Sequence, residues 1–139
     1  MTAKEYLRQL WNLDREIEIK YRELEELRAQ VGIKAQPDPN ENVGHSGNVS
    51  DPVSDVAVRI VQMEHRINRK IDRLINLKRK ISDQIDGMEN RNYRMILTCR
   101  YVLMQTWDDV ADSVGYSIQN CYIIHGKALQ EFYNLYLKH

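Results

Sequence analysis

A local excess of positive charge lies between residues 66 and 80, where the segment RINRKIDRLINLKRK holds seven basic residues and one acid. Lys and Arg side chains on a helix face bind nucleic-acid phosphates without reading the base sequence. The segment therefore predicts a phosphate-contacting surface, although a solvated helix face would have the same composition. The candidate phosphate contacts are Arg66, Arg69, Lys70, Arg73, Lys78, Arg79 and Lys80.

Residue types that carry catalysis or metal binding do not form a recognisable site. His125 has no Cys, Asp or Glu beside it in a catalytic arrangement, and Cys99 and Cys121 lack metal-ligand spacing. The sequence also has no Gly-rich phosphate loop and no paired-carboxylate pattern. We therefore expect no enzyme activity, no metal and no cofactor. The two thiols are expected to be reduced and buried, and His125 to be packed within its helix.

The composition is that of one helical or globular domain. The chain has 139 residues, of which 42% are apolar, and this is enough to bury a core. Lys plus Arg and Asp plus Glu number 20 each, so no global field attracts nucleic acid or a membrane. There is no signal peptide and no long apolar run, so we expect a cytoplasmic protein without a membrane partner.

A first long helix is predicted at residues 1–31 by apolar residues spaced alternately four and three apart. Thr2 is a candidate N-cap with Glu5 three residues later, and Gly32 is a candidate stop. This spacing creates one apolar stripe that requires a partner helix. The stripe consists of Tyr6, Leu10, Leu13, Ile17, Lys20, Leu24, Leu27 and Val31.

A second long helix is predicted at residues 53–88 by the same spacing, with Pro52 suited to its first turn. We expect the two helices to pair antiparallel, as a coiled-coil-like hairpin within one chain or between the chains of a homodimer. The preferred register sets Lys20 opposite Glu64, because the polar position of one stripe then meets an opposite charge. The second stripe consists of Val53, Ala57, Ile60, Glu64, Ile67, Ile71, Leu74, Lys78, Ile81, Ile85 and Met88.

The segment between the two helices, residues 32–52, has the composition of a linker. It contains all three prolines and three of the six glycines, and its apolar residues follow no period. A connection of this length without periodicity predicts a mobile loop.

A helix is predicted at residues 91–102, and it is followed by a short helix, a turn and a further helix that runs to about Tyr136. The segment TWDDVADSVGYS gives a helix start at Thr106, a stop at Gly115 and a second start at Ser117. Ala111 is small where the second helix would cross the first. This order of signals is typical of a helix-turn-helix.

The segment RYVLMQTWDDVADSVGYSIQNCYIIHGKAL resembles the region-4-type helix-turn-helix of sigma factors. It is similar to small regulators carried by phages and prophages of Gram-positive bacteria, in which a helical N-terminal part precedes this block. The resemblance covers about residues 89–133 and implies a transcriptional regulator of a bacterial host, whose second motif helix enters the major groove of DNA. The matching residues are Arg100, Tyr101, Trp107, Ala111, Gly115, Ser117, Tyr122, His125, Gly126, Ala128 and Leu129.

The recognition helix implied by this resemblance comprises about residues 117–130. Amides such as those of Gln119 and Asn120 pair with adenine or other base edges, and Tyr122 can reach a phosphate. The side chains expected on the core side are those of Cys121, Ile124, Ala128 and Phe132. Those expected to face outward are Ile118, Gln119, Asn120, Tyr122, Ile123 and Gly126. The candidate DNA-binding residues are Ser117, Gln119, Asn120, Tyr122, Ile123 and Lys127.

The sequence departs from this group of regulators at Gln119 and Ile123, where they carry basic residues. Residues 90–139 hold five basic and four acidic side chains, so this segment alone predicts weak phosphate binding. Three explanations stay open: the basic segment of the second helix compensates, dimerisation doubles a weak contact, or the motif binds protein. An outward Ile123 fits a protein contact or a thymine methyl group.

Taken together, these patterns predict an all-α protein in which a helical hairpin, residues 1–31 and 53–88, precedes a helix-turn-helix domain at residues 89–139. The predicted function is sequence-specific binding to double-stranded DNA in phage or prophage transcription. One alternative is a phage DNA-packaging component of the small-terminase type, which would assemble into rings. Another is a protein-interaction module that binds host RNA polymerase.

Overall fold

The computed structural model describes residues 1–34 and 52–138, and all regular structure in these ranges is helical, so the predicted all-α class is confirmed. None of these helices has the length and apolar character that a membrane span requires. Within the described ranges the five α-helices are α1 (Ala3–Lys34), α2 (Pro52–Asp86), α3 (Arg91–Leu97), α4 (Trp107–Val114) and α5 (Ile118–Phe132). Two π-helical turns, Thr98–Val102 and Tyr133–Leu137, directly follow α3 and α5.

The predicted start of α1 is correct, and its predicted end is wrong. The Glu5 N–H donates to Thr2 Oγ1 at 3.1 Å, and the Thr2 N–H donates to Glu5 Oε2 at 2.9 Å, which together form the predicted capping box. Gly32 does not take the left-handed conformation of a helix stop, and α1 continues to Lys34. Most of the predicted loop, residues 35–51, lies outside the described residues.

Contacts divide the chain into two units, each of which includes part of α1 and part of α2. The middle unit comprises residues 15–72, and the terminal unit comprises residues 1–14 and 73–139.

In the middle unit, α1 and α2 contact each other as antiparallel helices. Arg28 Nη2 lies 3.1 Å from Glu64 Oε1, and Lys70 Nζ lies 3.2 Å from Glu16 Oε2, so residue numbers rise along one helix as they fall along the other. Burial of apolar side chains stabilises this pairing. The buried side chains are those of Ile17, Leu24, Leu27, Val56, Met63 and Ile67.

The predicted register of the two helices is wrong. Lys20 Nζ pairs with Glu23 on its own helix at 3.0 Å, whereas Glu64 pairs with Arg28. The Lys20 and Glu64 side chains are 36% and 42% exposed, so neither charge requires a partner across a buried seam. The buried stripe of α2 passes through Val56 and Met63, one position before the predicted Ala57 and Glu64, because the larger apolar side chains exclude more water.

Leu24 and Ile19 of α1 provide a matched test of this pairing. We expect Leu24→Ala to lower the free energy of unfolding by about 2–5 kcal/mol, since this side chain is only 1% exposed and its loss leaves a cavity. Ile19 is 56% exposed, and Ile19→Ala should change the free energy of unfolding by less than about 0.5 kcal/mol. Urea unfolding followed by circular dichroism measures both, and equal effects would contradict the assigned burial.

The core of the terminal unit is formed by the start of α1, the end of α2, α3 with its π-helical turn, and α5. Tyr6 and Tyr136 donate hydrogen bonds to the side chain and the backbone carbonyl of Gln84, at 2.8 and 2.6 Å. A Cβ at Gly87 would lie 2.7 Å from the Tyr136 hydroxyl, so a side chain at this position would force Tyr136 to shift. The buried residues are Ala3, Leu7, Leu10, Ile81, Ile85, Met88, Leu97, Tyr101, Ala128 and Phe132.

A second, smaller cluster packs α3, α4 and α5 together. Val110 and Ala111 of α4 are buried with Ile96 of α3 and Cys121 of α5. Ala111 is therefore small where the helices meet. This cluster positions α5 relative to α3 and α4.

The ends of α4 and α5 agree with the predicted start and stop signals. The Asp109 N–H donates to Thr106 Oγ1 at 3.3 Å, and the Asn120 N–H donates to Ser117 Oγ at 3.2 Å. Gly115 has φ of 78°, a left-handed conformation that favours glycine, and its N–H donates to the Ala111 carbonyl. Local side-chain caps therefore fix the turn between the two helices.

Two glycine substitutions in the terminal unit should have opposite effects on stability. Gly115→Ala should lower the free energy of unfolding by about 1 kcal/mol, because φ is 78° there and alanine disfavours it. Gly126 lies within α5, and a Cβ added there would meet no atom within 4 Å, so Gly126→Ala should raise the free energy of unfolding by about 1 kcal/mol. Thermal and urea unfolding distinguish the two, and a change of the same sign in both variants would contradict the backbone assignment.

Candidate nucleic-acid interface

The outward face of α5 presents most of the side chains predicted to contact DNA. Gln119, Asn120 and Lys127 are exposed, and Tyr122 and Ile123 are 50% and 58% exposed. The opposite face is anchored by Cys121, Ala128 and Phe132, which are buried, and by Ile124, which is half-buried. The predicted division of α5 into two faces is therefore confirmed for these residues.

Two residues at the start of α5 differ from their predicted roles. Ile118 is half-buried against the small cluster of α3, α4 and α5, so it does not face outward as predicted, because apolar burial is available there. Ser117 is exposed, but its hydroxyl oxygen already accepts the Asn120 N–H as the helix cap. Its first role is therefore to start the helix.

A small cavity of about 210 Å³ lies beside this face. It is bounded by α4, by α5, by the start of α1 and by the π-helical turn that follows α3. We call it the basic pocket. It lies within the terminal unit, and its lining combines three cations with aromatic rings. The lining residues are Lys4, Arg8, Trp11, Arg100, Tyr101, Trp107, Tyr122 and His125.

Arg100 is held in place by aromatic rings on both sides. Its guanidinium carbon lies 4.6 Å from the centroid of Trp11 and 4.7 Å from that of Trp107. Arg100 Nη1 also donates to the Gln105 carbonyl at 2.7 Å. Burial lowers the pKa of Arg100, but a guanidinium stays charged at any physiological pH. The pocket therefore contains a fixed positive charge.

The segment that holds Gln105 contains a strained residue. Met104 has φ of 56°, in the left-handed region that residues with a side chain rarely adopt. Its side chain packs against the core of the terminal unit, and the next residue supplies the carbonyl that Arg100 bonds. Core packing thus holds the chain in the conformation that presents this acceptor.

His125 and Tyr101, which both line the pocket, form a buried pair. Tyr101 Oη lies 2.8 Å from His125 Nε2, and the two residues are 1% and 9% exposed. Burial, together with the nearby charges of Lys4, Arg100 and Arg8, lowers the pKa of His125 to about 4. Burial also raises the pKa of Tyr101 to about 12. Both groups are therefore neutral at pH 7, and His125 is packed within its helix, as the sequence predicted.

Tyr122 belongs to both the pocket and the outward face of α5. Its ring meets Trp107 edge-on, with centroids 5.0 Å apart and an interplanar angle of 78°. The aromatic contact limits the positions that the Tyr122 hydroxyl can take. Tyr122, which the sequence predicted to contact a phosphate, therefore lines the same pocket as the three cations.

Sequence reasoning misses the N-terminal half of the basic pocket. Lys4, Arg8 and Trp11 are spaced by four and three residues, which places them along one side of α1. This spacing was the one signal in the sequence that groups the three residues. It does not indicate which distant segment the three residues meet, and Arg100 appears in the sequence only as part of the sigma-like block.

The predicted phosphate contacts on α2 are divided between the two units. Arg66 and Arg69 are exposed in the middle unit, where Lys70 is half-buried and pairs with Glu16. The remaining four belong to the terminal unit, where three are exposed and one is half-buried. They are Arg73, Lys78, Arg79 and Lys80, of which Lys78 is the half-buried residue.

The two cysteines are free thiols in helices of the terminal unit. Cys121 is buried and Cys99 is half-buried. Burial raises the pKa of both thiols, which keeps them protonated and unreactive. Full burial was predicted for both and holds for Cys121 alone, because Cys99 lies at the margin of the small cluster.

A family described as "Protein of unknown function (DUF1492)" matches residues 39–133, more than half of the chain. The chain belongs to the DUF1492 family. The DUF1492 match includes all of α3, α4 and the outward face of α5, whereas Lys4, Arg8 and Trp11 precede it. No curated protein and no solved structure matches the chain.

Neutral His125 makes the stability of the terminal unit depend on pH. Its pKa is about 6.5 in an unfolded chain and about 4 when folded, so the unfolded state takes up the proton first as the pH falls. The stability that depends on a neutral ring is fully present above pH 6.5 and is lost as the pH falls toward 4. At pH 5 we expect the loss from this residue to be about 2 kcal/mol.

This loss is measured by urea unfolding at pH 7 and pH 5. His125→Gln should be less stable than the wild type at pH 7 but should lose less stability between the two values. His65 is exposed on α2, so His65→Gln should keep the wild-type loss. Equal losses in His125→Gln and in the wild type would show that the folded ring already takes up a proton at pH 5.

Proposed function

We propose that the protein is a sequence-specific DNA-binding regulator of phage or prophage transcription, in which α4 and α5 form a helix-turn-helix. The caps at Thr106 and Ser117 and the left-handed Gly115 support this reading of the turn. The resemblance to region 4 of sigma factors supports α5 as the recognition helix. The proposal further assigns the pairing of α1 with α2 to assembly, as a helical hairpin.

The outward face of α5 is the observation that carries the proposal. Near the start of the helix, Gln119 and Asn120 expose two neighbouring amides, and each amide can pair with the edge of an adenine. Ile123 follows one turn later as an exposed apolar side chain that suits a thymine methyl group. Such side chains near the start of a recognition helix are the ones that reach base edges.

Phosphate affinity in this proposal comes from outside α5. Lys127 is the one Lys or Arg in α5, and α4 carries three exposed acids, so these helices attract phosphates weakly. The basic pocket and the exposed cations of α2 supply positive charge instead. The acids of α4 are Asp108, Asp109 and Asp112.

A second candidate function is binding to host RNA polymerase, which the exposed Ile123 favours. This side chain is 58% exposed beside the half-exposed Tyr122. An exposed apolar pair of this kind also suits a protein partner. In that case the protein would bind polymerase without showing salt-dependent affinity for DNA.

The test compares amide substitutions at the two ends of α5. In the proposed complex, Gln119→Ala with Asn120→Ala should weaken binding to a prophage operator by about 5- to 150-fold for each base contact that is lost, because such a contact is worth about 1–3 kcal/mol. Binding to random duplex DNA should change little. Gln130→Ala, an exposed amide of the same helix, is the matched control and should bind as the wild type does.

Fluorescence anisotropy across a salt series, together with the mass of the protein in solution, separates the candidates. Operator binding that weakens with salt and depends on the two amides supports the regulator. Absence of DNA binding at low salt by a folded protein contradicts it, and capture of polymerase would then support the second candidate. A ring-sized assembly would instead favour a packaging component of the small-terminase type.

A further inference from the structure

The three cations of the basic pocket have no carboxylate partner among the described residues. Ion pairs within residues 1–34 and 52–138 involve Lys20, Arg22, Arg28 and Lys70, all in the middle unit. Lys4, Arg8 and Arg100 therefore concentrate positive charge around one small cavity. Like charges gathered in this way repel one another, and a bound anion would offset the repulsion.

The groups that could hold an anion are partly fixed before it arrives. The guanidinium of Arg100 is stacked between Trp11 and Trp107, and only Nη1 donates to the Gln105 carbonyl. Arg8 lies over the Trp11 ring, with its guanidinium carbon 5.5 Å from the centroid. Side chains ordered in advance lose less entropy when a ligand binds.

Trp11, which lines the pocket, also has an unsatisfied polar atom. Its indole Nε1 is buried and has no hydrogen-bond acceptor within the described part of the chain. Because this atom is closed to solvent, the groups that would contact an anion in the cavity are the three cations and not the Trp11 donor.

The size of the cavity limits the ligand. At about 210 Å³ it is smaller than the roughly 300–1,000 Å³ of pockets that enclose drug-sized molecules. It therefore suits one compact anionic group and not a whole nucleotide. Arg and Lys donors favour a phosphate group for this role, since a guanidinium matches two phosphate oxygens at once.

We propose that the basic pocket binds one phosphate group through Lys4, Arg8 and Arg100, with the hydroxyl of Tyr122 at its edge. The phosphate of a DNA backbone is the source that the structure favours, because Tyr122 lies both in the pocket and on the outward face of α5. A phosphate held there is adjacent to the helix that reads the bases. This choice of source rests on the proposed function, whereas the phosphate chemistry of the pocket does not.

The first arm of the test uses inorganic phosphate and the full-length chain. The ring protons of His125, which lines the pocket, are followed by NMR as phosphate is added, with chloride at equal ionic strength as the reference. We expect a saturable shift with phosphate alone. The shift should be lost in Lys4→Gln with Arg8→Gln and kept in Arg91→Gln, an exposed arginine of α3 outside the pocket lining.

The second arm uses duplex DNA across a salt series. Lys4→Gln with Arg8→Gln should remove one phosphate contact. The slope of log affinity against log salt should then fall by about 1, and binding should weaken roughly tenfold. Lys4→Arg with Arg8→Lys retains both charges and should retain most of the slope. The preference for operator over random DNA should be unchanged in all these variants.

The two arms test phosphate binding in the pocket and the proposed function independently. A phosphate-dependent shift in a protein that binds no DNA supports the pocket with a free phosphate compound as the source, and contradicts the regulator. A phosphate-dependent shift with an unchanged DNA slope overturns the backbone as the source. The proposal fails altogether if Lys4→Gln with Arg8→Gln matches Arg91→Gln in both arms. Lys4 and Arg8 are exposed, so circular dichroism should show that these variants fold.

Discussion

The stacking of Arg100 between Trp11 and Trp107 joins three segments that are far apart in sequence. Trp11 is in α1, Arg100 in the π-helical turn after α3, and Trp107 at the first turn of α4. A guanidinium between two indoles contributes cation–π attraction while its charge stays available to solvent and ligands. The outward face of α5 is connected to this arrangement through Tyr122, whose ring contacts Trp107. One interaction thus links the position of α4 to the electrostatics beside the candidate recognition helix.

Features set by neighbouring residues could be predicted from the sequence, and features set by distant contacts could not. The starts of α1, α4 and α5 follow from caps that act over three residues, and the turn at Gly115 follows from its need for a left-handed conformation. The register of α1 against α2 depends on which of several apolar stripes excludes more water. The four-and-three spacing predicted that Glu64 lies in the contact between the two helices, whereas the structure buries Met63 there. The pocket was missed for a related reason: Lys4 and Arg8 are ordinary surface cations until Arg100 is known to lie beside them.

The net charge of the chain does not describe the electrostatic potential at its surface. The chain has no net charge, and its ion pairs in the described ranges lie in the middle unit, where helix-surface Lys, Arg and Glu neutralise one another. In the described residues of the terminal unit there are no ion pairs, and three cations line one pocket. Potentials at a surface depend on this local distribution more than on the total, because screening limits the range of each charge to about 10 Å at ordinary ionic strength. A neutral protein can therefore present a cationic site to a partner.

The acids of α4 have a structural role that separates them from the pocket. Asp108 and Asp109 occupy the first turn of α4, where carboxylates stabilise the positive end of the helix dipole, and the Asp109 N–H completes the Thr106 cap. Their presence in a candidate DNA-binding unit therefore follows from helix formation and does not argue against phosphate binding nearby. The two candidate functions differ in how they would use the pocket. DNA bound by the amides of α5 would draw on the cations of the pocket for its affinity, whereas a protein partner bound at Ile123 has no such requirement.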